Sequence, residues 1–259
     1  MLTIFFLSGL IVGSFLNVLV YRFHTAENFF FGRSKCPHCK KKICWFDNIP
    51  VLSFVLLHSR CRDCKKKISL LYPIVEIFTG VVFVAVGWNF FDPNVLNSWL
   101  VTLYYLLVFS TLIVILAYDW LYMEIPMALL WAGITIAIFF NLVLDWDIIL
   151  ASRTHSGVLA AFVAFVFFFL LSAMSKEKWM GMGDAYLVIL LGLFLGWPEI
   201  LLALFSSFLI GSVYGLIVIA IGKKKLKSRV PFAPFLVIGT FISIFFYSPI
   251  VKWYLSLFF

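Results

Sequence analysis

The sequence predicts an all-α polytopic membrane protein with about eight transmembrane helices and a small, zinc-ribbon-like cytoplasmic loop domain. Hydrophobic residues make up 64% of the 259 positions and charged residues only 12%, which is typical of chains that cross a bilayer repeatedly. The apolar residues fall in runs long enough to span a hydrocarbon core. The basic residues cluster in a few of the segments between these runs, as they do in membrane proteins of defined orientation.

The apolar runs divide the chain into eight predicted spans. Residues 2–21 lack a preceding basic region and a small-residue cleavage site, so we expect a retained first helix and not a removed signal peptide. A polar loop at 22–71 separates this helix from a multi-helix membrane domain at 72–259. The spans of that domain are predicted at about 72–91, 97–118, 126–144, 156–174, 184–197, 199–222 and 231–251. The segment 184–197 is short for a span, and no internal repeat stands out.

The distribution of Lys and Arg predicts the orientation in the membrane. Of the 20 basic residues, 11 fall between Arg22 and Lys67 and five between Lys223 and Arg229. The positive-inside rule therefore predicts that both termini lie outside and that the polar loop is cytoplasmic. On this map the cytoplasmic loops also include 119–125, 175–183 and 223–230. Such clustering explains the net charge of +8 better than nucleic-acid binding does.

Two CxxC pairs in the polar loop predict a structural metal site. Cys36 and Cys39 form one pair, Cys61 and Cys64 the other, with 21 residues between the pairs. This spacing is typical of a four-thiolate zinc site, which leaves no open position for catalysis. Two disulfides are the alternative, but disulfides are rare in the cytoplasm. Cys44 lies outside both pairs and is not expected to bind the metal.

Two aspartates are the candidate catalytic residues. Asp119 follows the third predicted span, and Asp184 opens the sixth after Gly181 and Gly183. A charge at the rim of a membrane helix is a functional candidate, although each alone could be a helix-end charge or an N-cap. The predicted topology puts both at the inner membrane face, where two carboxyl groups can share one proton and act as base and acid. HExxH, GxSxG and Walker A motifs are absent from the sequence.

The ordered motifs of the chain resemble those of the type IV prepilin peptidases, which are membrane aspartic peptidases with a GxGD site. The match covers nearly the whole chain. It consists of Gly13–Val18 with Arg22, the two cysteine pairs, Asp47–Ser53, Ile68-Ser69, Tyr72–Glu76, Asp119 with Ile125-Pro126, Gly181–Asp184 and Pro231–Phe235. One departure is Leu71, which stands where many members of the family have an arginine.

The resemblance implies both an activity and residue roles. Enzymes of this family cut the basic leader from type IV prepilins and pseudopilins after a glycine at the cytoplasmic face of the bacterial inner membrane. Many also methylate the new amino terminus with S-adenosylmethionine. Asp119 and Asp184 correspond to the catalytic pair, Gly181 and Gly183 support the motif, and the four paired cysteines correspond to zinc ligands. Prepilins and membrane lipid are the implied partners, without nucleic acid. The sequence contains no readable S-adenosylmethionine motif.

Two other classes of function remain open from the sequence. A non-enzymatic zinc-ribbon scaffold of a pilus or secretion machine would keep the cysteine site but would not need the aspartates. A small-solute transporter would need buried polar residues in several spans, and Asn17 is the clearest besides the aspartates. Among other acidic residues, Glu76 is the best supporting candidate, while Glu27, Asp47 and Asp63 could meet a basic leader. Glu124 gains no role.

Overall fold

The computed structural model describes residues 1–25, 34–144, 148–178, 180–222 and 230–256. The chain forms two compact units, Met1–Ala117 and Tyr118–Phe259. Glu27 and most of the predicted basic loop at 223–230 lie outside the described residues. The helices are α1 (Leu2–Thr25), a 3-10 turn (Trp45–Asn48), α2 (Leu52–Leu56), α3 (Leu71–Phe90), α4 (Leu96–Tyr122), α5 (Met127–Leu144), α6 (Ile148–Ser175), α7 (Met182–Leu195), α8 (Glu199–Ala220) and α9 (Ala233–Ser256).

The predicted fold class is confirmed. Six helices in the described ranges are long and apolar enough to cross a membrane, and two shorter apolar helices, Met127–Val143 and Met182–Leu195, bring the set to eight. The same ranges contain no extended strand, and their only β pairing is two isolated bridges in the polar loop. The chain is therefore an all-α, multi-pass membrane protein.

Helix boundaries around the two aspartates differ from the prediction. The third span was predicted to end at residue 118, but α4 continues to Tyr122, so Asp119 lies in its last turn. Met123 then adopts a left-handed backbone conformation with φ +56° and ends the helix. This conformation usually signals glycine, which is why the sequence did not reveal the later end. Pro126, expected as the first residue of the next helix, lies just before α5.

The first unit is organised by close packing of α1 on α3. Gly9 and Gly13 are four residues apart and share one face of α1. A Cβ on Gly9 would lie 2.7 Å from the Gly80 Cα, and a Cβ on Gly13 would lie 2.8 Å from the Glu76 Cα. Only glycine permits such backbone contact, which is a common basis of helix association in membranes. The start of α3 is consequently held beside the C-terminal half of α1, which leads into the loop.

The second unit is organised around α7. This helix of 14 residues is about 21 Å long, short of the roughly 30 Å hydrocarbon core. It contacts α5, α6, α8 and α9, and Leu187, Val188, Leu190 and Leu191 are fully buried. These four helices therefore cover the buried apolar side chains of α7.

Replacing Gly192 by alanine should destabilise this packing. The backbone of Ala161 in α6 occupies the position where a Cβ on Gly192 would lie. Separating the two helices should cost about 1–3 kcal/mol, as overpacking typically does. Gly215→Ala in α8 is the matched control, because a Cβ there meets nothing within 4 Å. Thermal unfolding of both variants in detergent should show a lower midpoint for Gly192→Ala alone, and equal midpoints would contradict the packing.

Candidate functional site

The structure brings Asp119 and Asp184 together inside the second unit. Both carboxyl groups are buried, with 5% and 8% of the residue surface exposed. They are close enough for the charge of Asp119 to act on the Asp184 carboxyl group. Glu124, five residues after Asp119, is exposed. Two buried carboxyl groups therefore lie within electrostatic range of each other, which the predicted pairing requires.

Packing of the α4 terminus fixes the position of Asp119. Trp120, the next residue, contacts Tyr214 of α8 at a ring-centroid distance of 6.0 Å. Tyr214 in turn contacts Phe235 of α9 at 5.4 Å. These aromatic contacts hold the last turn of α4 against two other helices of the second unit.

Gly183 brings the beginning of α7 against the segment that follows Asp119. A Cβ on Gly183 would lie 3.3 Å from the Ile125 Cδ1 atom, closer than an ordinary van der Waals contact. A side chain here would push Ile125 and the α7 terminus apart. Because Gly183 has no side chain, the segments that carry Asp119 and Asp184 can pack closely against each other.

Asp184 occupies the third position of α7 and is not its N-cap. Gly181 caps the helix in an extended conformation, and α7 begins at Met182. The backbone N–H of Gly181 donates a hydrogen bond to the Asp184 carboxylate. This contact resembles the return half of a capping box, in which the third residue of a helix satisfies the free N–H of the cap. The carboxylate also lies at the positive end of the helix dipole.

Asp119 receives a similar contact from a different helix. The backbone N–H of Ala233, the first residue of α9, donates a hydrogen bond to the Asp119 carboxylate. The following Pro234 has no N–H to offer, so Ala233 supplies the donor at this helix terminus. Sequence reasoning missed Ala233, because a backbone amide leaves no residue signature. The only sequence feature that pointed to this position was the proline-phenylalanine segment Pro231–Phe235, which contains Ala233.

The two carboxylate oxygens of Asp119 differ in their surroundings. The Oδ2 atom of Asp119 is buried and has no hydrogen-bond partner among the described residues. A buried carboxylate oxygen without a partner is costly, and a proton shared with Asp184 or a water would satisfy it. Two carboxyl groups so arranged can exchange protons with a water and a substrate carbonyl.

The four predicted metal-binding cysteines form one cluster in the first unit. The sulfur atoms of Cys36, Cys39, Cys61 and Cys64 all lie within 4.8 Å of one another, and all four thiols are free. Such a cluster can bind a metal ion. Cys44 is exposed and separate from the cluster, as the sequence predicts.

The two cysteine turns have the same backbone structure. In the first, the N–H of Cys36 donates to the carbonyl of Lys41, and the N–H of Lys40 donates to the carbonyl of Cys36. Cys61, Lys65 and Lys66 repeat this pattern 25 positions later. Lys40 and Lys65 are both left-handed, with φ of 59° and 57°. A short internal repeat is thus present where none was predicted, and the sequence shows it as the pattern Lys/Arg-Cys-x-x-Cys-Lys-Lys-Lys at 35–42 and 60–67.

Two ion pairs join the parts of the loop. Asp47 accepts two hydrogen bonds from the Arg62 guanidinium, at 2.9 and 2.7 Å. The hydrogen bond from Arg62 holds the pKa of Asp47 below its usual value, so Asp47 remains ionised. Lys41 and Asp63 pair at 2.8 Å between the two cysteine turns. Both aspartates that were considered for a basic leader are therefore bound to cations within the loop.

Glu76 connects the loop to α3. Its Oε2 atom accepts a hydrogen bond of 2.8 Å from the backbone N–H of Val51, a residue with a left-handed φ of 59°. The Ser14 hydroxyl of α1 donates to the same carboxylate. Nearby, the Asn17 amide donates to the Tyr72 carbonyl at 3.0 Å. Glu76 thus belongs to the first unit and supports the loop.

Comparison with known proteins gives two matching family models. The Bacterial Peptidase A24 N-terminal domain matches residues 7–90, which contain the cysteine cluster and Glu76. The Type IV leader peptidase family matches residues 106–216, which contain Asp119 and Asp184. The first model therefore covers the cysteine cluster with Glu76, and the second covers the two aspartates.

Several relatives match over nearly their full length. A prepilin leader peptidase/N-methyltransferase of Legionella pneumophila is 32% identical, covering 96% of this chain and 93% of the relative. Proteins of the same description from Aeromonas hydrophila and Bacillus subtilis (strain 168) are each 29% identical, covering 97% and 99% of this chain and 92% and 99% of the relatives. No solved structure matches the chain.

The cysteine cluster should hold one metal ion per chain. Cys36→Ser removes one of the four clustered thiols and should abolish stoichiometric metal binding, because the site closes only with four ligands. Cys44→Ser is the control, since it removes a thiol from the same loop outside the cluster. Elemental analysis of both purified variants measures the result. Metal retained by Cys36→Ser, or lost equally by both variants, would reject the cluster as the site.

Proposed function

Because the chain belongs to the type IV leader peptidase family, we propose that it is a membrane aspartic endopeptidase and N-methyltransferase of type IV prepilins or pseudopilins. It removes the basic leader after a glycine and methylates the new amino terminus with S-adenosylmethionine. The observation that supports the peptidase half is that two buried carboxyl groups, Asp119 and Asp184, lie in one unit, near enough for the charge of one to act on the other.

The proposed cleavage uses the two aspartates as a base and an acid. The ionised carboxylate takes a proton from a water, and the water oxygen attacks the carbonyl carbon of the scissile peptide bond. The protonated partner gives its proton to the carbonyl oxygen, which produces a neutral tetrahedral diol. When the C–N bond breaks, the proton held by the base passes to the leaving amine, and one hydroxyl of the diol returns its proton to the partner carboxylate as the product carboxylic acid forms. The pair returns to its original state with one proton.

The helix termini at the pair support this mechanism. The N–H groups of Ala233 and Gly181 each donate to one carboxylate and orient it without a counter-ion. Such fixed dipoles need little reorganisation during the reaction. A lysine or arginine in the same place would compete for the proton-carrying oxygens. The proposal therefore assigns catalysis to Asp119 and Asp184, with Gly181 and Gly183 as support.

We propose zinc as the metal of the cysteine cluster, with a structural role. The Cys36 and Cys64 sulfur atoms lie 3.9 Å apart, close to the separation of about 3.8 Å that Zn–S bonds of 2.3 Å give in a tetrahedron. Among the described residues of the loop at 22–71, Cys36 is the only buried hydrophobic one, so a metal supplies stability that burial there does not. The peptidase belongs to the multi-helix segment at 72–259.

The proposal places the protein in the bacterial inner membrane with both termini outside. The cysteine loop and the aspartate pair then lie on the cytoplasmic side, as the basic residues favour. A prepilin that enters as a membrane helix with its basic leader inside presents its cleavage site at this depth. The partners are thus the prepilin helix and the surrounding lipid, and no nucleic acid.

Removing either carboxyl group should abolish cleavage. Asp119→Asn and Asp184→Asn keep the side-chain shape but remove proton transfer, so the rate should fall at least about 10²-fold. Glu124→Gln, an exposed acid in the same segment, is the control and should cleave normally. Prepilin processing by purified variants in detergent is the measurement, with metal content as a check of folding. A non-enzymatic scaffold predicts unchanged, background processing in all three variants.

The new amino terminus should carry one methyl group when S-adenosylmethionine is present. The bound donor supplies the methyl group, and the chain must hold the free amine beside it. Mass spectrometry of the mature pilin, with and without the donor, separates cleavage from methylation. A cleaved but unmethylated product from a preparation with intact metal would limit the protein to the peptidase.

A further inference from the structure

We propose that the cysteine loop docks on the anionic surface of the bilayer through the apolar face of α2. This apolar face consists of Ile49, Leu52, Val55 and Leu56, whose residue surfaces are between 39% and 67% exposed. Four large apolar side chains so close together on a polar loop indicate an interaction surface. The inference goes beyond the two enzymatic activities and depends on neither of them.

The helical structure of α2 directs these side chains away from the rest of the loop. Leu52, Val55 and Leu56 are three and four residues apart, so they share one face of the helix. Phe54 and Leu57 lie on the opposite side and line a cavity of about 450 Å³ between the loop, α1 and α3. The helix contains no buried residue. One side of α2 therefore meets the loop, and the apolar face is available to a second surface.

The contact between Val51 and Glu76 places α2 at the depth of the membrane surface. The Val51 N–H donates to the Glu76 Oε2 atom at 2.8 Å, and Glu76 is the sixth residue of α3. At 1.5 Å per residue, Glu76 lies about 7.5 Å from the beginning of this helix. The 20 residues of α3 match a hydrocarbon core of roughly 30 Å. The beginning of α2 is thus held close to the boundary into which interfacial helices sink by about 5–10 Å.

The loop that carries this face is strongly basic. Residues 34–70 contain nine Lys and Arg but only two acidic residues, and all nine basic residues are exposed. Both acidic residues pair with cations of the same loop. A four-thiolate zinc centre would add two negative charges, which still leaves the segment clearly positive. Basic segments beside membrane helices are attracted to anionic headgroups.

Hydrogen bonds hold the second cysteine turn against the end of α2. The Ser59 N–H donates to the Phe54 carbonyl at 2.9 Å, and the Ile68 N–H donates to the Ser59 carbonyl at 2.7 Å. The turn between these two contacts carries the exposed lysines at 65–67. Apolar and basic groups therefore belong to one connected piece of structure, and this combination is typical of segments that bind a membrane interface.

An anionic bilayer matches both properties of this surface. Its acyl chains accept the apolar face, and its phosphate headgroups attract the lysines. The basic leader of a prepilin, or the same loop of a second copy of the chain, would bring positive charge against positive charge. The apolar face is also tied to α3, which is itself long and apolar enough to cross the membrane, so lipid lies next to it.

Labelling with a photoreactive lipid tests the contact directly. The full-length wild-type protein is placed in nanodiscs whose phosphatidylglycerol carries a diazirine in the acyl chain. After irradiation and digestion, the labelled peptides are identified by mass spectrometry. We expect label on residues 49–56 as well as on the exposed face of α1, where Ile4, Leu7 and Ile11 serve as an internal positive control. Label on α1 without label on residues 49–56 overturns the proposal.

Hydrogen exchange tests the dependence on lipid charge. Amides at 52–57 of the wild type should exchange about tenfold more slowly in phosphatidylglycerol nanodiscs than in phosphatidylcholine nanodiscs, because the lysines strengthen docking on the anionic surface. Lys65→Gln/Lys66→Gln should lose most of this difference, with metal content as a check that the loop is folded. Lys176→Gln/Lys178→Gln is the matched control, because it removes two exposed lysines outside the loop, and it should keep the difference. Equal wild-type exchange in both lipids, or the same loss in both variants, overturns the proposal.

Discussion

Burial of the short helix α7 is the constraint on which the candidate active site depends. A helix of 14 residues cannot cross the hydrocarbon layer alone, so both of its ends need protein or polar partners. Four neighbouring helices cover its sides. Because Gly192 has no side chain, the backbone of α6 can lie against α7 at this residue. The N-terminus of α7 is thereby held inside the protein with Asp184 on it. A second helix terminus, at Ala233, meets Asp119 in the same unit.

The polar loop meets the opposite requirement, since it has to be ordered without a core. Three kinds of contact replace burial: the thiol cluster, the Asp47–Arg62 pair and the acceptance of the Val51 N–H by Glu76. The first two act within the loop, and the third ties the loop to α3. Glu76 faces Gly13 across the α1–α3 contact. The same residue therefore takes part in the packing of the two helices and anchors the loop.

The sequence predicted those features that depend on residue type and missed those that depend on backbone conformation. Composition and apolar runs predicted the fold class, and cysteine spacing predicted the cluster. The end of α4 was placed four residues early because Met123, a residue without the usual glycine signal, is left-handed. The Ala233 donor was missed because any residue except proline has an N–H. The sequence alone leaves Asp47 and Asp63 as candidates for binding a basic leader, because the folded structure is needed to show that Arg62 and Lys41 pair with them.

The duplicated cysteine turn has a consequence for how the protein is assembled during synthesis. Each turn contributes two of the four sulfur atoms, so neither half can complete the site, and a metal can be fully coordinated only after Cys64 has left the ribosome. At that moment α1 has emerged, but α3, which begins at Leu71, is still enclosed by the ribosome. The hydrogen bond between Glu76 and Val51 can form only later. Biosynthesis therefore orders the events: the loop can close around its metal before the membrane helix that anchors it has emerged from the ribosome.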